Sequence, residues 1–221
     1  MYPKVRGEYE TLAKIKEGNS IARWGDGEYG VMRDQGYTRN RYDPRLSKEL
    51  RVHMERCDTA LIGIPTMDPK GCKYQNWSRH IEDYASRTPK HREYYSSLIT
   101  RPDCGAWMRT REYAEAVQEL WLDRKVVLVG PEPHRSKLRK VIEITQDVEM
   151  IECPLYQAYD YIDEFEQACL NSSADLVLLS CGVTGTCLAA RLSKRKQAID
   201  IGSIGGFLSK VFFGDPHGRY Y

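Results

Sequence analysis

Short apolar runs alternate with helical patterns through the second half of the chain. Apolar runs at residues 125–130 and 174–180 predict buried strands, and the runs at 148–152 and 197–202 predict two further strands. Helical spacing predicts the elements between them, at residues 135–143, at 156–170, and from the turn at 181–185 to about 194. Strands that alternate with helices in this way pair in parallel through right-handed crossovers. We therefore predict an α/β fold, Rossmann-like and doubly wound, with a mainly parallel sheet.

The first half of the chain has a less regular pattern. Residues 8–17 have helical spacing and stop at Gly18–Asn19, and the apolar runs at 20–24 and 59–64 predict two more strands. Residues 76–121 are expected to be mainly helical, with an interruption around 100–105. We interpret residues 1–221 as a single domain with a helical, basic and aromatic segment inserted at about 70–121.

Composition excludes several classes of protein. A hydrophobic content of 41% is adequate for a packed core, and a net charge of +2 does not by itself indicate nucleic-acid binding. No apolar run approaches the roughly 18–20 residues of a membrane span, and the N-terminus lacks the apolar core of a signal peptide. Seven cysteines without a Cys-x-x-Cys pair or a zinc-ligand spacing favour a reducing compartment, so we expect a cytoplasmic protein.

The segment 20–30 carries the most specific chemical signal in the chain. In an extended backbone, Asp26 and Glu28 would share one face at the end of the strand 20–24. Gly25, Gly27 and Gly30 leave room for a ligand to approach the backbone. Two adjacent carboxylates repel unless a cation lies between them, and a hard divalent cation that also binds substrate phosphates suits this pair. The alternative is a glycine-rich hairpin turn with two solvated acids.

Other candidate binding residues follow the remaining predicted strands. Gly130, Ser180, Gly182 and Asp200 stand at strand ends, where doubly wound sheets bind their ligands. The turn that begins at Gly182 opens a helix whose free N–H groups can hold a phosphate, or it is a plain strand-to-helix connection. Asp200 can accept a hydrogen bond from a ribose hydroxyl, or it can cap a neighbouring loop. The convergence of these strand ends is a stronger signal than any one of them.

Residues 70–111 combine nine lysines and arginines with six interleaved tyrosines and tryptophans. Aromatic faces can stack on sugars or bases, and basic groups can hold phosphates. The alternative is two amphipathic helices with aromatic residues in the core and charged residues in solvent.

Several short motifs together resemble the GT-D type glycosyltransferases, a family first described as a domain of unknown function. The most specific is Arg23-Trp24-Gly25-Asp26-Gly27-Glu28, which is similar to the family's Arg-Phe-Gly-Asp-Gly-Glu signature. Weaker matches follow in the expected order and extend the resemblance over roughly residues 8–203, at 99–102, 127–131, 154–159, 178–182 and 198–202.

The resemblance implies transfer of a sugar from a nucleotide donor, a UDP-sugar such as UDP-glucose, with the help of Mn2+ or Mg2+. It places the metal and donor motif on Asp26 and Glu28, and we expect Arg23 and Arg101 to stabilise developing negative charge. The residues expected to hold the donor nucleotide are Gly25, Gly27, Gly130, Pro131, Ser180, Gly182, Thr184, Asp200 and Ser203.

The acceptor expected from the resemblance is a glycan or a glycoprotein. The segment at about 70–121 would lie on the acceptor side, and its composition also permits a hydroxylated DNA base, as in phage DNA modification. These acceptors correspond to a bacterial cytoplasm or to that of a phage-infected host. A second copy of the chain, forming a homodimer, is a further candidate partner.

The sequence departs from the family where a catalytic base is expected. Family members often continue the final Asp-Ile-Gly with a histidine and an acid, whereas residues 203–207 here contain neither. The fallback candidates for the base are Asp215, His217 and Glu132. This departure favours an alternative function, a non-catalytic nucleotide-binding or regulatory module of the same fold. A third hypothesis is a metal-dependent phosphoesterase that uses Asp26 and Glu28, although no His/Asp cluster supports it.

Overall fold

Seven strands form one parallel sheet in the computed structural model, which describes residues 1–36, 41–67, 80–143 and 148–215, with side chains left out at 133–136. The strands are β1 (Ser20–Arg23), β2 (Ala60–Ile64), β3 (Tyr95–Ser96), β4 (Val126–Gly130), β5 (Val148–Glu152), β6 (Leu176–Leu179) and β7 (Gln197–Asp200). Their order across the sheet is β3-β2-β1-β7-β6-β4-β5. The predicted α/β class and parallel sheet are confirmed.

Nine α-helices of the described residues cover the sheet. They are α1 (Glu8–Lys16), α2 (Asp26–Met32), α3 (Pro44–Arg56), α4 (Ile81–Arg87), α5 (Arg111–Gln118), α6 (Glu132–Ile142), α7 (Ile162–Asn171), α8 (Val183–Leu192) and α9 (Gly205–Phe213). Short 3-10 helices lie at Ser97–Thr100, Pro102–Cys104, Ala106–Arg109 and Ala158–Tyr161. Within the described ranges, no helix combines the length and apolar character that crossing a bilayer requires.

Two apolar layers enclose the sheet, one on each face. On one face, α8 packs across β1 and β7 and contacts α3 and α7, in a core that includes Trp24, Tyr29 and Leu50. On the other face, α9 packs against α6 and α5 around Leu128 and Phe207. Strands β4 and β6 are buried along their whole length, which explains their unbroken apolar sequence.

The first and last strands of the sheet are neighbours, and the helices that follow them lie on opposite faces. Ile21 of β1 pairs with Ile199 of β7, and α2 follows β1 onto the α8 side while α9 follows β7 onto the other. A crevice opens at the carboxyl ends of two adjacent strands when their connections diverge in this way. The sheet order therefore places a crevice where β1 meets β7.

The segment after β1 differs from the prediction. Asp26 and Glu28 lie in the first turn of α2 and not on an extended strand end. Gly25 precedes the helix in extended conformation, and its N–H donates to Glu28 Oε2 at 2.7 Å. This bond from the third helical residue back to the N-cap is half of a capping box, and it makes helix the favoured conformation despite the glycines.

Residues 76–121 are also less helical than predicted. The described part contains α4 and α5, but it also contains the edge strand β3 and three 3-10 helices. Residues 76–79 lie outside the described residues. The predicted elements omit α3 and α9, and α6 begins three residues earlier than the predicted 135–143.

Candidate active site

A cavity of about 180 Å3 opens at the carboxyl ends of β1 and β7. The residues that lead from β1 into α2 form one wall, and the 3-10 turn at Ser97–Thr100, the start of α8 and the end of β7 form the others. The predicted site residues that line it are Arg23, Gly25, Asp26, Gly27, Glu28, Arg101, Gly182, Asp200 and Ser203. Of the strand ends that were predicted to converge, residues 26–28, Gly182 and Asp200 do so, whereas Gly130 and Ser180 do not.

Arg23 holds three walls of the cavity together. Its Nε donates to the Asp200 backbone carbonyl at 2.5 Å, and its Nη2 lies 3.2 Å from Asp200 Oδ1. Its Nη1 donates to the Ser97 carbonyl at 2.8 Å and also to the Thr100 hydroxyl. The side chains of Arg23 and Asp200 are only 10% and 7% exposed. A guanidinium so buried and engaged acts as a structural clamp between these elements, and its role toward a transition state stays a prediction.

The acidic pair of this site is Glu28 with Asp200, joined through Thr186 of α8. The Thr186 hydroxyl lies 3.2 Å from Glu28 Oε1 and 3.3 Å from Asp200 Oδ2. The predicted pair of Asp26 and Glu28 also lines the cavity, but from the first turn of α2 and not from one face of a strand. Thr186 was not predicted, because no local motif marks a residue whose partners lie on β1, α2 and β7.

The environment of Glu28 shifts its titration strongly. Burial raises the pKa of the Glu28 carboxyl to about 7, and the negative charge of Asp200 acts in the same direction. The backbone N–H groups of Glu28 and Gly25 and the guanidinium of Arg23 oppose this shift. The carboxyl therefore changes charge near neutral pH, as active-site acids do.

Asp26 is the exposed carboxylate of the cavity. It occupies the first position of α2, and its Oδ1 accepts a hydrogen bond from the Tyr84 hydroxyl at 3.1 Å. Tyr84 is itself fixed by stacking on Tyr29, with ring centroids 4.0 Å apart and planes inclined by 12°. Burial and the nearby Asp26 carboxylate raise the Tyr84 pKa. The hydroxyl therefore stays a donor that orients Asp26.

Arg101 is the cationic side chain at the cavity rim. Its Nε and Nη2 bind the two carboxylate oxygens of Asp103, each at 3.0 Å. The Arg101 side chain remains 35% exposed, whereas the Asp103 side chain is only 9% exposed. Asp103 thus holds the guanidinium in a fixed orientation beside the cavity.

Four predicted binding residues do not line this cavity. Gly130 and Pro131 are buried where β4 leads into α6, and Ser180 lies behind the wall, where its hydroxyl donates to the Gly202 carbonyl at 2.6 Å. Thr184 is fully buried, and its hydroxyl has no hydrogen-bond partner among the described residues. These residues follow strands as predicted. Gly130 and Pro131 miss the cavity because β4 lies two strands away from β7 in the sheet. Thr184 misses it because its position on α8 faces the core.

Of the fallback bases, Glu132 and Asp215 are not part of the cavity wall. Glu132 begins α6, and Asp215 accepts a hydrogen bond from Ser209 at 3.3 Å beyond the end of α9. His217 lies outside the described residues.

Most described basic residues of the 70–111 segment are hydrogen-bonded or paired within the protein. Arg87 pairs with Asp83, Arg92 donates to backbone carbonyls of Met54 and Cys57, and Arg111 pairs with Glu115. Among the aromatic residues, Tyr84 and Tyr94 are buried, whereas Trp107 is 44% exposed. These contacts agree with the interpretation that the segment is mainly structural. Lys70, Lys73, Tyr74, Trp77 and Arg79 lie outside the described residues.

A divalent cation would find few protein ligands in this cavity. No three His, Cys, Asp or Glu side chains converge into a metal-binding group within the described ranges. Mg2+ and similar ions, however, are commonly held by one or two carboxylates together with substrate phosphates. Asp26, which is exposed, and Glu28, which shares its cavity, fit that kind of open site.

Comparison with known proteins gives one consistent result. A family model described as the glycosyltransferase GT-D fold matches residues 21–206. A probable glycosyl transferase, Gly, of Streptococcus gordonii is 29% identical over 209 residues, which cover 86% of this chain. The glycosyltransferase GlyD of Streptococcus pneumoniae serotype 4 is 24% identical over 238 residues, covering 97% of this chain.

A solved structure is similar over nearly the whole chain. It is described as the highly conserved domain of unknown function 1792, with a distinct glycosyltransferase fold. It superimposes with a TM-score of 0.82 at 26% identity, covering 95% of this chain and 81% of its own. The present chain spans only 30% and 29% of the lengths of the two streptococcal relatives.

Proposed function

We propose that this chain, which belongs to the GT-D glycosyltransferase family, transfers a sugar from a nucleotide-sugar donor to a hydroxyl group of a glycan. The observation that carries the proposal is the cavity between β1 and β7. The family signature at residues 23–28 and Asp200 of β7 both line it, at the carboxyl-terminal edge of the sheet. That edge is where this fold class binds its ligands.

The diphosphate end of the donor suits this cavity best. A volume of about 180 Å3 is below the roughly 300–1,000 Å3 of pockets that enclose whole ligands. The first turn of α8 presents backbone N–H groups at Gly182 and Val183, which favour an anion. Gly182 has a φ of +59°, and a side chain there would meet nothing within 4 Å. Its backbone is therefore open to a phosphate.

Asp26 and Glu28 would hold a Mn2+ or Mg2+ ion in this proposal. Asp26 offers an exposed carboxylate oriented by Tyr84, and Glu28 offers a carboxylate held by Gly25 and Thr186. The bound ion would supply Lewis-acid stabilisation of the nucleoside diphosphate leaving group. Arg101 would add positive charge at the rim, while Arg23 would hold β1, β7 and the 3-10 turn at Ser97–Thr100 in place around the cavity.

The acceptor is proposed to be a sugar hydroxyl, with a hydroxylated DNA base as the rival. The rival needs a basic surface, yet Arg87, Arg92 and Arg111 are already engaged within the protein. Duplex binding through phosphates would weaken steeply with salt. Binding of the chain to double-stranded DNA, measured between 50 and 200 mM salt (roughly the range in which such slopes are read), distinguishes the two acceptors. A steep salt slope supports the DNA base, and no binding supports the glycan.

The decisive test is release of UDP from UDP-glucose and other UDP-sugars in the presence of Mn2+. We expect Asp26→Asn and Glu28→Gln each to lower turnover about 100-fold or more, because ligand loss exceeds the roughly 10- to 100-fold cost of supporting residues. Glu17→Gln is the matched control, since Glu17 is an exposed acid paired with Lys14 outside the cavity.

Two outcomes would contradict the proposal. Native turnover in both cavity variants would remove the metal role from Asp26 and Glu28. UDP binding without sugar release, for every UDP-sugar and acceptor tried, would instead support the non-catalytic nucleotide-binding module.

A further inference from the structure

Thr186 has a hydroxyl that serves three separate elements of the cavity. Its Oγ1 lies 2.9 Å from the backbone carbonyl of Arg23, 3.2 Å from Glu28 Oε1 and 3.3 Å from Asp200 Oδ2. These acceptors belong to β1, α2 and β7, whereas Thr186 itself belongs to α8. The residue is fully buried, so the hydroxyl must satisfy itself within this group.

The direction of this hydroxyl is unusual for a helix. Buried threonines in helices commonly bond the carbonyl four residues back, which for Thr186 is that of Gly182. Here the Gly182 carbonyl accepts from the Gly185 N–H at 2.8 Å, and the Thr186 hydroxyl points away from its own helix. The Thr186 hydroxyl therefore contacts β1, α2 and β7 and not its own helix.

Each carboxylate beside Thr186 is fixed through its other oxygen. Glu28 Oε2 accepts from the Gly25 N–H at 2.7 Å, and Asp200 Oδ1 accepts from Arg23 Nη2 and from the Gly202 N–H, each at 3.2 Å. The remaining oxygens, Glu28 Oε1 and Asp200 Oδ2, both lie against the Thr186 hydroxyl. Like charges repel, and the neutral Thr186 hydroxyl lies between these two oxygens, where its single proton can be donated to one acceptor at a time, including the nearer Arg23 carbonyl.

We propose that Thr186 is a positioning residue that holds Glu28 and Asp200 at a fixed separation in the cavity. Its hydroxyl acts from a fully buried position, through the side chains that it contacts. The consequence for catalysis rests on the proposed function: Glu28 would hold the cation with its carboxylate in the orientation that Thr186 maintains. The positional claim itself does not require that function.

Crystal structures of two variants test the positional claim directly. Thr186→Val keeps the shape but loses the hydroxyl, and Thr186→Ser keeps the hydroxyl but loses the methyl group. We expect the Glu28 carboxylate to move away from Asp200 in the valine variant and to stay in place in the serine variant. Unmoved carboxylates in Thr186→Val, or equal displacement in both variants, would overturn the proposal.

Binding of UDP with Mn2+, measured by calorimetric titration, tests the functional consequence. We expect Thr186→Val to weaken Mn2+ binding to the UDP-loaded protein by about 10- to 100-fold, the usual cost of losing a residue that orients a ligand. Thr186→Ser should stay within about threefold of the native protein, since it retains the donor. A valine variant that binds Mn2+ as the native protein does would refute a role for Thr186 in the site.

Thr184→Val provides the matched control for stability. Thr184 is two residues away on the same helix, and its buried hydroxyl has no partner among the described residues. We expect its melting temperature to equal or exceed that of the native protein, while Thr186→Val falls below it. If the native protein itself fails to bind UDP and Mn2+, the proposed function fails, and the two crystal structures still decide the positioning role.

Discussion

Replacing Gly202 with alanine tests whether the Arg23 clamp is built as described. Gly202 follows β7 with a φ of +55°, and a Cβ there would lie 2.6 Å from Arg23 Nη2. Optimal contact between such atoms is about 3.5 Å, so the guanidinium would have to retreat by about 1 Å. That movement would separate Nη2 from Asp200 Oδ1, which it now approaches at 3.2 Å.

The expected cost has two parts that can be measured separately. An alanine at positive φ costs about 1–2 kcal/mol. Breaking a buried ion pair outright costs about 3–5 kcal/mol, but Arg23 keeps its bonds to Ser97 and Thr100, so only part of that cost applies. We therefore expect a loss of about 2–4 kcal/mol in the free energy of unfolding.

Urea denaturation of Gly202→Ala and Gly214→Ala separates the two parts. Gly214 ends α9 with a φ of +68°, and a Cβ there would meet nothing within 4 Å, so its alanine variant reports the backbone cost alone. The midpoint should fall further for Gly202→Ala, with the m-value unchanged in both. Equal losses in the two variants would refute the described position of the Arg23 guanidinium.

Two further predictions concern Glu49 of α3 and Arg101 at the cavity rim. Burial raises the pKa of Glu49, but hydrogen bonds from Arg191, His53 and Tyr159 outweigh it and hold the pKa at about 2. This lowered pKa contributes stability that is present above the ordinary value of 4.5 and lost as pH falls toward 2. The Glu49→Gln variant should therefore be less stable than the native protein at neutral pH. Urea denaturation at a series of pH values should show that the difference in unfolding free energy between the two proteins shrinks by about 3 kcal/mol as the pH falls from 4.5 to about 2. A difference that stays constant would contradict the lowered pKa of Glu49. Arg101→Ala should reduce the rise in melting temperature that UDP and Mn2+ produce, whereas Arg111→Ala, from an exposed pair outside the cavity, should not.

The sequence predicted the sheet far better than the helices of the first half. The strands β1, β4, β6 and β7 are fully or mostly buried, and burial on both faces produces the continuous apolar runs that were readable. The start of α2 was wrongly predicted as an extended strand end, although the spacing of Gly25 and Glu28 that allows the capping interaction is itself a local signal. Asp43-Pro44 at the start of α3 is another signal of a helix N-terminus.

The sequence predicted which residues line the cavity better than it predicted which side chains contact each other there. Nine of the predicted residues line one cavity, because strand ends in a parallel sheet share an edge. The contact of Glu28 with Thr186 and of Thr186 with Asp200 depends on how α8 crosses β1 and β7, and periodicity along the chain does not encode that crossing. The same limit explains Ser180 and Thr184, which are correctly located along the sequence but face away from the cavity.

The neighbourhood of β1 and β7 also constrains how the molecule can be made. Arg23 and Asp200 are 177 positions apart, yet their contact closes the cavity. During synthesis, β1 has its β2 partner early, but its other edge stays open until the chain has been translated past residue 200. An open edge of this kind is a template for unwanted pairing with other chains. Until β7 is made, the nascent chain therefore carries an unprotected strand and an incomplete cavity, and insertion of β7 protects the strand and completes the cavity together.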